Sequence, residues 1–237
     1  MRHLLVLGDS LAFHGPVRAE PPQHPDLFPS VCAAALGPDV RVDLVARRGW
    51  TARDGWWSLT KDPVVWGTYL PRASAVVLAQ GGFDQLPAAL PTWLRDSMPY
   101  VRPGPLRRRV REMYHRASPT VIRLSDGRLQ QLPPRATSHY HGRILSGIRT
   151  LRPDLPFARL LPSPWHSRLY PVQRSHAPAV AEARRWCETH GVPAVDTDAL
   201  VDTRTNNPDG LHWGWDSHAR VGTATAAALR TAGWGSA

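Results

Sequence analysis

The stretch VLGDSLAFHG, Val6 to Gly15, decides how the rest of the chain is read. An apolar run, Leu4-Leu5-Val6-Leu7, stops abruptly at Gly8-Asp9-Ser10-Leu11. Two readings compete. Ser and Asp start helices and Gly turns chains, so this can be an ordinary capped turn. Alternatively, Ser10 is a nucleophile displayed at the carboxyl end of a buried strand, where open α/β sheets bind their ligands.

Working outward, strand and helix patterns alternate. Strands are expected at His3–Gly8, Val40–Ala46, Ala73–Ala79, Phe157–Leu161 and Val192–Val195. Helices are expected at Asp26–Leu36, Trp50–Thr60, Ala177–His190 and His218–Ala232, with Asp216 as the N-cap of the last. This alternation argues for a parallel sheet covered on both faces. The stretch 86–134 breaks the rhythm: it is rich in Pro and Arg and carries helix patterns at Leu90–Val101 and Leu106–Arg116. It reads as a lid-like insertion over the sheet's C-terminal edge. The 237 residues therefore read as a single α/β domain carrying that insertion.

The residues following each strand converge on one chemistry. The first strand leads to Asp9-Ser10, the second to Arg48-Gly49-Trp50 and the third to Gly81-Gly82-Phe83-Asp84. Near the C-terminus comes Asn206-Asn207-Pro208-Asp209-Gly210-Leu211-His212. A serine hydroxyl is a poor nucleophile until a base takes its proton, and histidine suits that role near neutral pH. A carboxylate behind the histidine fixes its tautomer, and Asp209 stands three residues before His212. Backbone N–H groups at Ser10 and Gly49 are candidate donors to a developing oxyanion.

These motifs, Gly8-Asp9-Ser10-Leu11, Gly49, the G-x-x-D turn and D-x-x-H, resemble the SGNH (GDSL) hydrolase family over nearly the whole chain. The resemblance implies a flavodoxin-like three-layer α/β/α sandwich with a five-stranded parallel sheet. It implies Ser10 as nucleophile and first oxyanion donor, Gly49 as second donor, His212 as base and Asp209 as its partner. The family's third motif is G-x-N-D, whose Asn side chain is a third donor. Here Phe83 stands at that Asn position. Two backbone donors suffice, or Gln85 or the Gly82 N–H substitutes, or activity is reduced.

Within the family, DSLAFHGP, RRGWTARDGWW, GGFDQLPAALPTWLR, YVRPGPLRRRVREMY and NPDGLHW look like those of sugar-glycerate acyltransferases. That likeness implies transfer of a medium-chain acyl group from a thioester, such as an acyl-CoA co-substrate, to a sugar or glucosylglycerate hydroxyl. It implies no resident cofactor and no metal. The alternatives are an esterase or lipase-type hydrolase and a catalytically weak, carbohydrate-binding pseudoenzyme.

Asp9, Trp50, Phe83, Asp84 and Trp213 are the expected substrate-side residues. Within that set, Asp9 is expected to orient the nucleophile loop and Asp84 to brace its own turn. Of the arginines flanking Gly49, Arg47, Arg48 and Arg53, one is a candidate for an acceptor carboxylate. His218 is the competing histidine and is assigned a packing role because it lies inside the last helix pattern.

The formal charge is +10, and Lys61 is the only lysine. No nucleic-acid motif accompanies this charge, so a solvated basic surface is the simpler account. No apolar run approaches the ~20 residues of a membrane span, and His3 to Leu7 is too short for a signal-peptide core. A cytoplasmic protein is expected, with Cys32 and Cys187 as buried free thiols. Nothing in the sequence signals an oligomeric state.

Overall fold

The computed structural model describes residues 1–235. Five parallel strands form one sheet in the order β2-β1-β3-β4-β5. They are β1 Arg2–Gly8, β2 Val40–Ala46, β3 Ala73–Ala79, β4 Phe157–Leu160 and β5 Ala194–Val195. β1 lies between β2 and β3, with Val6 opposite Leu44 on one side and Val77 on the other. The chain therefore steps outward in one direction to β2 and in the other to β3. That reversal opens a crevice at the carboxyl ends of β1 and β3, where doubly wound sheets bind ligands.

Alternation along the strands divides the core into two layers. Leu4 and Val6 face one side with Val77 and Leu160, beneath α1 (Phe28–Leu36) and α9 (Trp215–Thr231). Leu5 and Leu7 face the other with Val76 and Leu78. That side is covered by α2 (Ala52–Lys61), α6 (Pro134–Leu151) and α7 (His176–His190). Both faces of β1 and β3 are buried, which is why these strands read as continuous apolar runs. The architecture is the expected three-layer sandwich.

Several boundaries differ from the sequence reading. α9 begins at Trp215 with Gly214 as its N-cap, so Asp216 sits inside the first turn rather than capping it. There its carboxylate still faces the positive end of the helix dipole. α2 begins at Ala52, because the Thr51 N–H and hydroxyl both donate to Asp54 and fix the helix start there. α6 had no counterpart among the expected helices. Its apolar stripe, Ile144, Leu145 and Ile148, packs on the sheet between α2 and α7.

Within 86–134, the pattern at Leu90–Val101 is broken into α4 (Thr92–Ser97) and a 3-10 turn, Met98–Tyr100, containing Pro99. The second helix, α5, runs much further than expected, from Gly104 to Leu124. Two short helices, α3 (Leu70–Arg72) and α8 (Thr197–Leu200), lie beside β3 and after β5.

Candidate active site

β1 ends at Gly8, and Ser10–Ala12 form a single 3-10 turn. Asp9 caps that turn by accepting from the Leu11 N–H at 2.9 Å. Its second oxygen lies 3.4 Å from the Phe83 N–H, tying the Ser10 turn to the turn after β3. Burial pushes the Asp9 carboxyl up to about 6, against the pull of those two amides.

The NPDGLH turn supplies the other half. The Asp209 N–H donates to Asn207 at 2.7 Å, and the Leu211 and His212 N–H groups both donate to Asp209 Oδ1. This leaves Asp209 Oδ2 2.7 Å from His212 Nδ1. His212 Nε2 in turn lies 3.0 Å from Ser10 Oγ. A carboxylate only accepts, so Nδ1 carries the proton and Nε2 presents its lone pair to the serine. Burial works to raise the Asp209 carboxyl, but the His212 ring and the Leu211 amide outweigh it and hold it below the usual carboxylate range. Gly210 is required here. Its φ is +72°, and a Cβ would lie 1.8 Å from the His166 carbonyl oxygen.

A second histidine supports the first. The His14 ring stacks on His212 with centroids 3.7 Å apart and planes 18° from parallel. His14 Nδ1 lies 2.7 Å from the Gly15 carbonyl, so it must donate. Its Nε2 faces the Arg48 guanidinium at 3.4 Å, a group that only donates. Both partners select the neutral ring. Burial lowers the His14 pKa, and the nearby His212 and Arg48 act in the same direction.

His218 is buried and joins two elements: it accepts from the Phe28 N–H at 3.2 Å and donates to the His14 carbonyl at 3.1 Å. Burial lowers it to about 4. It braces the loop that follows Ser10 and does not meet Ser10 itself.

Gly49 adopts a φ of +72°, and its Cα faces the ring of Phe83, which a Cβ would meet at 3.7 Å. Among the described residues, the N–H groups of Gly49 and Gly82 have no hydrogen-bond acceptor. They are therefore available as donors. Gln85 is committed elsewhere: its amide donates to the Ser163 carbonyl at 2.7 Å and its oxygen lies 2.7 Å from His176 Nδ1. That engagement argues against Gln85 as the substitute for the missing Asn.

Ser10 opens into a cavity of about 40 Å³ walled by Asp9, Leu11, Phe83, Leu86, Trp165 and His212, with Gly82 and Ser163 also lining it. Three residues expected on the substrate side do not line it. Trp50 packs against the core layer under α2 and beneath Arg47. Trp213 is buried between Phe28 and His218, with its indole donating to Ser163 Oγ at 2.9 Å. Asp84 is buried and accepts from the Ala52 N–H and from Thr137 Oγ1. Burial pushes its carboxyl up to about 7. Sequence reasoning missed the Ser163-Pro164-Trp165 wall, which follows β4 and carries no recognisable motif. It also missed the His14 stack, although His14 lies within VLGDSLAFHG itself.

No protein-family model matches the chain. The diglucosylglycerate octanoyltransferase of Mycolicibacterium hassiacum is 41% identical over 237 aligned residues, spanning 97% of this chain and 95% of the relative. That of Mycobacterium tuberculosis is 40% identical, spanning 97% and 93%. The chain belongs to the diglucosylglycerate octanoyltransferase family. The fold is also shared with solved esterases. The aryl esterase of M. smegmatis superposes with a TM-score of 0.64 at 18% identity, covering 98% of this chain and 99% of that one. Est24, a carbohydrate acetylesterase from Sinorhizobium meliloti, gives 0.65 at 15% identity over the same shares. The chain thus shares the three-layer α/β/α fold of these esterases, and it is an acyltransferase or carboxylic-ester hydrolase. No helix among the described residues is long and apolar enough to cross a membrane.

Proposed function

We propose that the chain transfers a medium-chain acyl group from a thioester to a hydroxyl of a sugar or glucosylglycerate, through an acyl-Ser10 intermediate. The observation that carries this reading is the unbroken line from Asp209 through His212 to Ser10, at 2.7 and 3.0 Å. Ser10 Oγ attacks the thioester carbonyl while His212 Nε2 takes its proton. The C–S bond breaks, the thiol leaves with the proton from His212, and the acyl group stays on Ser10. An acceptor hydroxyl then gives its proton to His212 and attacks the acyl-serine. The new ester departs and the proton returns to Ser10.

Asp209 holds the tautomer and stabilises the transient imidazolium. The neutral His14 ring, packed on one face of His212, limits the base to one orientation. The N–H groups of Ser10, Gly49 and Gly82 are the oxyanion donors in this reading, and Phe83 contributes an apolar wall where the SGNH motif carries an amide. Acyl-CoA fits as the co-substrate donor, and a cytoplasmic site of action suits both that donor and the free buried thiols of Cys32 and Cys187.

The test is product analysis by mass spectrometry with octanoyl-CoA, in the presence and absence of a diglucosylglycerate. Octanoylated acceptor, lost in Ser10→Ala, supports the reading. Free octanoate alone, with acceptor present, makes the chain a hydrolase. No turnover and no labelling of Ser10 by a fluorophosphonate makes it a binding protein.

A further inference from the structure

The Ser10 cavity, at about 40 Å³, is little larger than one water at ~30 Å³ and cannot hold a medium acyl chain. A far larger apolar cavity of 440 Å³ lies inside the insertion, between the Thr92–Tyr100 segment and α5. Leu90, Leu94, Met98, Val110, Met113 and Val121 form half of its lining.

Two connections bring this groove to the edge of the Ser10 cavity. Leu86 walls the first cavity and Leu90 the second, a separation of at most ~14 Å along the chain. The Arg95 guanidinium lies over the Phe83 ring at 5.5 Å, while its neighbour Leu94 lines the groove.

The charge around the groove favours a small acyl donor over a second copy of the chain. α5 carries Arg108, Arg109 and Arg111, all exposed and, among the described residues, without a carboxylate partner. Two such faces repel each other, and the whole chain carries a formal +10.

We infer that this groove is the binding site for the donor's acyl chain, with its carbonyl end at Ser10 and its tail running past Leu86 between α4 and α5. The inference rests on the acyltransferase reading. Each methylene buried there strengthens binding by up to about fourfold, so turnover should climb with chain length until the groove is full.

Two measurements test it. Ser10→Ala protein is irradiated with a CoA thioester of octanoate bearing a diazirine at the tail, and the labelled peptides are mapped. Labels within residues 86–124 are expected; labels confined to other segments overturn the inference, and this readout does not depend on turnover. Ala117→Phe, which projects a ring into the groove, is expected to lower the ratio of octanoyl to acetyl kcat/KM at least tenfold. An unchanged ratio in folded protein overturns the assignment. A dimer that Ala117→Phe dissociates, with the ratio unchanged, gives the groove to a second copy instead. Full activity in Ser10→Ala would instead refute the serine mechanism, a failure separate from either readout.

Discussion

Replacing His14 by alanine removes the ring on which His212 rests, and the consequence can be sized. An aromatic pair contributes ~0.5–1.5 kcal/mol beyond area burial. The observed stack, at 3.7 Å and 18°, is close and nearly parallel. If that contribution is needed to hold the base between Asp209 and Ser10, its loss reads as ~2- to 13-fold in kcat. The donor KM should hardly move, because His14 does not line the Ser10 cavity. His14 is neutral near pH 7, with its pKa lowered by burial and by the neighbouring His212 and Arg48, while Asp209 pulls the other way. The loss should therefore appear on the plateau of the pH–rate profile. His14→Phe keeps a flat ring without its nitrogens and should recover most of the rate. The assay is initial-rate octanoyl transfer from pH 5 to 9, on variants shown to be folded by circular dichroism. Wild-type kcat across that range in His14→Ala would refute the positioning role. A His14→Phe as slow as His14→Ala would refute the stack and credit the polar contacts to Gly15 and Arg48 instead.

Ser10→Ala should abolish transfer and fluorophosphonate labelling while shifting thermal stability little, since a partly exposed hydroxyl at a strand end is removed. His212→Ala should lower turnover by ~10²-fold or more, whereas His218→Ala should mainly lower Tm. The latter leaves the Phe28 N–H and His14 carbonyl unpaired, at ~1–3 kcal/mol each; the reverse pattern would make His218 the base. Asp84→Asn should flatten the pH dependence of stability. Folding raises the Asp84 carboxyl from 3.8 to about 7, so the folded state keeps a proton that the unfolded chain has lost. Stability is then full below about pH 4 and falls by at most ~4 kcal/mol as pH rises to 7. A Tm–pH curve for Asp84→Asn parallel to that of the wild type would refute this.

What could be read from the sequence was what local chemistry specifies. The doubly buried strands declare themselves by uninterrupted apolar runs, and Gly8-Asp9-Ser10 and Asp209-Gly210-Leu211-His212 carry their geometry in neighbouring residues. α6 escaped notice because its stripe of Ile144, Leu145 and Ile148 is interleaved with His, Arg and Ser, and because its start lies in Pro133-Pro134 at the edge of an irregular stretch. The His14 stack and the Trp165 wall depend on residues roughly 150 to 200 positions from their partners in the chain. No spacing rule reports such pairs. Trp213 shows the opposite error. Adjacency to His212 suggested a substrate-facing ring, but successive residues leaving a turn diverge, and Trp213 turns into the core while His212 turns out to Ser10.

Phe83 is where the chain departs from the general family pattern, and the site offers a physical reason. An amide at that position would supply one oxyanion donor, an interaction worth ~10²–10³ in rate. On the proposed reading the donor is a thioester, which is more reactive than an oxygen ester, so acylation of Ser10 would tolerate the loss. The second step has the opposite need: water must be kept from the acyl-serine while a scarce acceptor hydroxyl arrives. An amide would bind water beside the reacting carbonyl. The Phe83 ring instead lies against Gly49 and beneath Arg95, and completes an apolar wall with Leu11, Leu86 and Trp165. On the transferase reading, the substitution exchanges electrostatic help in a step that needs less of it for dryness in the step that needs more.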